Sequence, residues 1–332
     1  MPKGTSRRPS ETPLIIDADP CPNGQIKTYR EQFPVKCGGY KFLRLTFHHT
    51  IVAGTAATPR EKGGLLAVKD ITFKTSKNEE PISTPALGLH YFNKLFTGVE
   101  PVYDPILAVD GVYDQVIDLP FAMPFFTRQE DTIIDTKRYS HLEMKISLGG
   151  LADMFATPGD AQLQTTLDIA LLRSKTCMDP EGWGDPHFLP YIKHYPRFRA
   201  DTIGYLDIER ATDLILFGFF AVAHDLAAWG TEGVAFTGDP ADCLDHITWK
   251  NSVLPFVDKQ KLGWFKNERA QMSNDREFTG MYPHLFTRGG SYKNAFYCGG
   301  QTEIKFIIDT ILGSPTTPEV DLVVFGARTL RP

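Results

Sequence analysis

The sequence has no CxxC pair among its five cysteines (Cys21, Cys37, Cys177, Cys243 and Cys298). An odd count at wide spacing is neither a disulfide framework nor a zinc ribbon, and it fits folding in a reducing cytoplasm. A GxSxG elbow, an HExxH helix, a Walker A loop and a complete GxGxxG are also missing. The usual signatures of hydrolases, zinc proteases and nucleotide-binding enzymes are therefore absent. Neither sign of charge dominates: 35 Lys and Arg stand against 40 Asp and Glu, a net charge of -5. Such a surface has no global basic field with which to wrap nucleic acid. The longest apolar run, LILFGFFAVA over 214–223, ends at His224 and Asp225, short of the roughly 20 residues that span a bilayer. The N-terminal MPKGTSRRPSETPLII contains no apolar stretch of signal-peptide length.

What the sequence does have is 42% hydrophobic residues, 12% aromatics, 24 prolines and 28 glycines in 332 residues. That much apolar surface folds, and the length suits two cores better than one. Proline and glycine recur too often for long helices and suit short strands joined by loops.

Residues 1–34 carry six prolines and read as an extended N-terminal arm, because proline cannot donate to a ladder. Lys3, Arg7 and Arg8 give the arm a basic tip able to meet a phosphate-rich surface, against the plainer reading of a solvated terminus. From Tyr40 the stretch YKFLRLTFHHTIVAG alternates as a strand, and GLLAVKDITFK reads as another. PALGLHYFNKLF places Leu87, Tyr91 and Leu95 on one helical face. YDQVIDLPFAMPFF and RYSHLEMKISLGG add strands, the second with Leu142, Met144, Ile146 and Leu148 inward, and TTLDIALLRS closes the first half. Residues 181–199 lie in a proline- and aromatic-rich stretch with no clean period, and read as a connector on the surface. Beyond it TDLILFGFFAVA, DHITWKNSVLPFV, TEIKFIIDTILG and EVDLVVFGARTL are strands again, with LGWFKNE as a second short helix.

The two halves echo each other in order. DITFK matches HITWK through Ile71 and Ile247 at an offset of 176, and Leu87 matches Leu262 at 175. FFTR (125–128) matches LFTR (285–288), and EMKI (143–146) matches EIKF (303–306), both at 160. LDIAL matches VDLVV through Asp168 and Asp321 at 153. Collinear matches with falling offsets indicate one domain duplicated, with shorter loops in the second copy. Each half is the size of an eight-stranded jelly roll. The expected architecture is all-β: two eight-stranded jelly rolls in tandem, residues 35–180 and 200–332, with short helices in the loops. A run such as LILFGFF then marks a strand covered on both faces.

On these residues (GLLAVKDITFK with LGLHYFNKL, DLPFAMPFF running into DTKRYSHLEMKISLGGLADMF, and their echo) the chain resembles the double jelly-roll major capsid proteins of tailless icosahedral viruses, including phages with an internal membrane. The resemblance spans roughly residues 38–330 and rests on layout. It implies a structural protein without a cofactor, assembling as a homotrimer whose six barrels make a pseudo-hexagonal tile. It further implies contacts with neighbouring capsomers and with minor capsid or vertex proteins, and an inward-facing N-terminal arm whose Lys3, Arg7 and Arg8 meet lipid or genome. The expected location is the virion, after synthesis in the host cytoplasm. The alternative is a two-jelly-roll hydrolase acting on glycans or glycopeptides. A bicupin oxygenase would need histidines two apart, followed by Glu and His, and these are not found.

Three clusters carry ligand-type side chains. His48 and His49 are adjacent on a strand, so they face opposite ways and do not clasp one metal; they read as a surface or loop-edge pair. Asp242, Asp245 and His246 in DCLDH read as turn chemistry feeding the ITWK strand. DPEGWGDPH sets Asp179, Glu181 and Asp185, with His187, in a glycine-containing loop. Oxygen-rich loops of this kind can hold calcium, but the EF-hand spacing is absent and a solvated acidic loop is the competing reading. Trp249 and Trp264 fall in the repeated segments and read as core, while Trp183 and Trp229 do not form a stacking platform.

Overall fold

The computed structural model describes residues 14–36, 38–60, 62–97, 102–123, 129–174, 188–199, 203–225, 244–251, 255–261, 281–286, 295–310 and 318–330. Its principal strands form two series. The first is β1 (Leu14–Pro20), β2 (Ile26–Tyr29), β3 (Gly39–Val52), β4 (Val68–Thr75), β5 (Ile82–Thr84), β6 (Gly111–Pro120), β7 (Leu142–Leu148) and β8 (Gln162–Ser174). The second is β9 (Phe188–Arg199), β10 (Ile203–Asp207), β11 (Leu214–Asp225), β12 (Leu244–Asn251), β13 (Pro255–Lys261), β14 (Met281–Leu285), β15 (Ile304–Thr310) and β16 (Pro318–Thr329). Helix α1 (Ala86–Thr97) follows β5.

Sheet order repeats between the series. In the first, β1-β8-β3-β6 faces β2-β7-β4-β5; in the second, β9-β16-β11-β14 faces β10-β15-β12-β13. Every strand has its counterpart eight places on, and each set is a jelly roll. Three of the five predicted echoes fall on matching strands: Ile71 on β4 and Ile247 on β12, EMKI on β7 and EIKF on β15, Asp168 on β8 and Asp321 on β16; Leu262 and FFTR (125–128), on which the other two rest, lie outside the described residues. The matching ladders differ in register by two residues. Phe73 pairs with Met144 in the first roll, whereas Trp249 pairs with Phe306 in the second. A slip of two keeps the same side chains on the inner face.

The rolls are fused through one sheet. Strand β5 pairs in parallel with β9 (Ile82 with Ile192, Ser83 with Lys193), so sheet β2-β7-β4-β5 of the first roll continues into sheet β9-β16-β11-β14 of the second. On β9, Ile192 joins the first core while Tyr191 and Tyr195 join the second. On β11, Ile215, Phe217, Phe220 and Val222 belong to the first core and Leu214, Leu216, Phe219 and Ala221 to the second. The parity changes at Gly218, where the ladder to β16 skips a residue. This two-sided burial is why LILFGFFAV is continuously apolar, whereas its counterpart β3 alternates buried and exposed residues. The extra cover on β11 and β16 is α1: Phe92 and Phe96 meet the Phe325 ring at 5.6 and 5.2 Å between centroids. The helix is buried on more than its Leu87–Tyr91–Leu95 stripe, since Leu89 and Phe92 are buried too.

Three readings are corrected. Residues 14–34 are not a free arm, because β1 pairs with β8 and β2 with β7. Residues 188–199, assigned to the connector, are the first strand of the second roll, between β16 and β5. Prolines obscured both. Pro20 ends an edge strand, and Pro196 sits in the register skip between Tyr195 and Phe198, where no ladder donor is needed. Finally, GLL of GLLAVKDITFK is a helical turn, Gly63–Leu66, and the strand begins at Val68. The LGWFKNE segment lies outside the described residues.

Candidate functional site

A polar cluster lies at the fusion seam, lining a cleft of about 260 Å³. Tyr191 and Lys193 come from β9, Glu209 and Asp213 from the β10–β11 connection, and Arg328 from β16. Asn78, Glu79, Glu80 and Ser83 arrive from the β4–β5 hairpin of the first roll. Glu209 is the hub. Its Oε2 accepts Tyr191 Oη at 3.1 Å and Lys193 Nζ at 3.0 Å, and its other oxygen receives the Arg328 guanidinium. Arg328 also donates to both oxygens of Asp213, at 3.2 and 3.4 Å, and lies 5.4 Å from the Tyr191 ring. Tyr195 Oη accepts the backbone N–H of Glu209 at 2.9 Å.

Glu209 is held as the anion. Burial opposes charge on Glu209, but Lys193 and Arg328 overcome it and hold the carboxyl below its ordinary range. Burial, then Tyr195 and Glu209, push Tyr191 far up, and burial with Glu209 pushes the nearby Cys298 thiol to about 12. A glycosidase needs a carboxyl kept protonated beside one kept ionised. Glu209 is instead a locked anion between two cations, which suits fastening the β10–β11 connection to β9 and β16.

A second charged cluster decorates the outer face of β1-β8-β3-β6. His48 Nδ1 meets Asp114 Oδ1 of β6 at 2.7 Å, and Nε2 meets Asp168 Oδ2 of β8 at 3.2 Å. Arg44 forms a bidentate pair with Asp118 at 2.8 and 2.9 Å. The adjacent His49 points the other way and is fully buried, its Nδ1 3.0 Å from Thr165 Oγ1. The opposite faces expected for the pair are present, but the surface assignment fails for His49. The inward parity of Leu43, Leu45, Phe47 and Ile51 was the signal that places it.

Lys3, Arg7 and Arg8, the candidate metal ligands Asp179, Glu181 and Asp185, and His187, Asp242, Trp183, Trp229 and Trp264 all lie outside the described residues. Asp245 and His246 lie within strand β12 rather than in a turn. Trp249 is fully buried, with its ring stacked on Phe219 at 5.2 Å, which is core packing. Among the described residues, no group of three or more His, Cys, Asp or Glu could hold a metal ion, and no helix is long and apolar enough to cross a membrane. The seam network went unpredicted, since Arg328 is more than 100 residues from Glu209 and Asp213 in sequence and the three carry no motif.

Two eight-stranded rolls fused side by side define a double jelly-roll protein. No family model and no curated protein matches the chain. Solved structures do. The major capsid protein P2 of bacteriophage PM2 aligns over 97% of this chain and 98% of its own, with a TM-score of 0.60 and 11% identity. The major capsid protein of Sulfolobus turreted icosahedral virus aligns over 96% of both chains at a TM-score of 0.68 and 10% identity. The Faustovirus major capsid protein aligns over 96% of this chain and 93% of its own at 0.53 and 8% identity. At such identities the likeness is one of fold: this chain has the double jelly-roll fold of these viral major capsid proteins.

Proposed function

We propose that the chain is the major capsid protein of an icosahedral virus, a structural protein whose function resides in its interfaces. The observation that carries this reading is the strand-for-strand duplication, fused by β5 and β9 into one body. Three such bodies around a threefold axis present six similar rolls, a near-hexagonal tile that packs into a closed shell. The full-length likeness to viral major capsid proteins supports the same reading. The partners are two further copies of the chain, neighbouring capsomers and minor capsid or vertex proteins. Its place is the virion, after synthesis in the host cytoplasm.

Lys3, Arg7 and Arg8 precede β1 and supply the inner-surface contact with lipid headgroups or genome. Each basic residue near an anionic membrane contributes about 1 kcal/mol, screened by salt. The hydrolase alternative finds no support: Glu209, the hub of the carboxylates at the junction of the rolls, is neutralised by Arg328 and Lys193.

Size-exclusion chromatography with light scattering tests the trimer. The expected mass is three times the 37.2 kDa of one chain, in complexes burying more than about 1,200 Å² per interface. A monomer at high concentration, with no trimer in any assembled particle, overturns the proposal. Deleting residues 1–10 is expected to leave the trimer intact while lowering the yield of filled particles; unchanged yield removes the inner-surface role.

A further inference from the structure

Strand β1 is held to the sheet in an unusual way. Its ladder with β8 skips between Leu14 and Ile16 and again between Ile16 and Asp19, and Ala18 inside the second skip has a left-handed φ of 45°. The backbone N–H of Ala18 has no regular ladder acceptor there. Asp168 of β8 supplies one, its Oδ1 receiving Ala18 N at 2.6 Å. The other oxygen of the same carboxylate faces His48 Nε2 at 3.2 Å, and His48 Nδ1 faces Asp114 at 2.7 Å. One imidazole therefore touches carboxylates on both flanking strands, and one of those carboxylates fastens the edge strand.

The second roll repeats the motif with different chemistry. Asp321, the counterpart of Asp168, accepts from His194 Nε2 of β9 at 2.9 Å, and β9 is the counterpart of β1. In both rolls, then, an aspartate on the last strand ties down the first strand.

We propose that His48 is a proton-operated staple: doubly protonated, it bridges Asp114 and Asp168 and holds Asp168 where it fastens β1, and on losing a proton it lets β1 loosen. The reason lies in donor counting. A carboxylate only accepts, and neutral imidazole has one donor and one acceptor nitrogen, so neutral His48 sets an acceptor against one carboxylate. The longer contact, to Asp168, is the one that gives way. Asp168 then turns from its fixed rotamer and Ala18 loses its acceptor.

The charged groups on this part of the sheet are Asp114 and Asp118 from β6, Asp104 beside β6, Asp168 from β8, Asp17 and Asp19 from β1, and Arg44 on β3 itself. Arg44 is engaged by Asp118, Asp19 by Lys27, and Asp104 by the backbone N–H of Asp114. His49 lies on the opposite face. Partial burial opposes charge on His48, but hydrogen bonds accepted by Asp114 and Asp168 overcome it and raise the His48 value, so the staple is closed at mildly acidic pH. β1 is the strand that follows the N-terminal segment, so opening would release residues 14–20 from the sheet. The staple itself does not depend on the capsid reading.

Hydrogen exchange of the full-length chain in solution, read peptide by peptide between pH 5 and 9 and corrected for intrinsic rates, tests the proposal. Residues 14–20 are expected to exchange roughly tenfold faster above the His48 titration than below it, the effect of losing one charge-assisted hydrogen bond. Peptides of β11 and β16 should keep their protection. His48→Gln should remove the pH dependence in β1. Asp168→Asn, whose oxygen still accepts from Ala18 while its NH2 donates to neutral His48 but opposes the N–H of the doubly protonated ring, should invert the dependence, with β1 protected above the His48 titration and loosened below it. Should His48→Gln fail to fold, an NMR titration of His48 in the unmodified chain decides: a value at or below that of a free histidine overturns the staple. Equal β1 exchange at both ends of the pH range, or the same pH dependence in His48→Gln, overturns it as well.

Discussion

His48 and His49 are neighbours in sequence and opposites in proton affinity. Strand alternation turns one toward two carboxylates and the other into the core. Burial, with a smaller effect from His48, lowers His49 to about 4, against 6.5 for a free histidine, while the backbone at Gly64 opposes the shift. The unfolded chain therefore binds the His49 proton more readily, and stability falls as pH drops from about 6.5 toward 4, by roughly 3 kcal/mol. His48 has the opposite sign. Its folded value is raised, so its contribution is complete below about 6.5 and is lost as pH rises through the folded value. Urea denaturation from pH 4.5 to 8 of the parent, His48→Gln and His49→Gln is expected to show the acid-side slope flattened only in His49→Gln and the alkaline-side slope flattened only in His48→Gln. Identical slopes in all three proteins would rule out this division of labour.

At the scale of elements, the bulge at Gly218 sets which face of β11 meets which core. A Cβ there would come within 2.3 Å of the His284 backbone oxygen and 2.8 Å of the Phe325 ring. Backbone cannot yield as a flexible side chain can, so Gly218→Ala should cost at least about 1–3 kcal/mol, as overpacking does. Phe92→Ala, which removes a buried ring from between α1 and Phe325, should cost about 3–5 kcal/mol. Thermal melts check both, and an unchanged melting temperature in either would contradict the packing described. These elements were legible to different degrees. Strict alternation exposed β7, the 3–4 spacing exposed α1, and the unbroken LILFGFF run announced a strand buried on both faces. Strands β1 and β9 stayed hidden for one shared reason: each opens its roll, carries proline, and pairs through a skipped register, so neither shows a clean period of two. The seam around Glu209 was hidden differently. Its charges come from separate strands and loops, and only the fold brings them together.

For the whole molecule, the shared sheet makes the second roll dependent on the first. Ile215, Phe217, Phe220, Val222, Val323 and Phe325 face the first core rather than the second, and α1, which helps cover them, belongs to the first roll. A chain cut between β8 and β9 would leave this apolar wall bare, together with the free edge of β9 that β5 occupies in the intact protein. Exposed apolar faces and unpaired strand edges are what drive association between chains. Residues 188–332 produced alone are therefore expected to aggregate or self-associate, while co-production with residues 1–174 should recover a soluble complex. The intact chain should unfold in one calorimetric transition, because opening the first roll strips the cover from the second. A soluble, monomeric second roll, or two well-separated transitions in the intact chain, would mean that the rolls are merely tethered and that the sheet through β5 and β9 contributes little to holding them as one body.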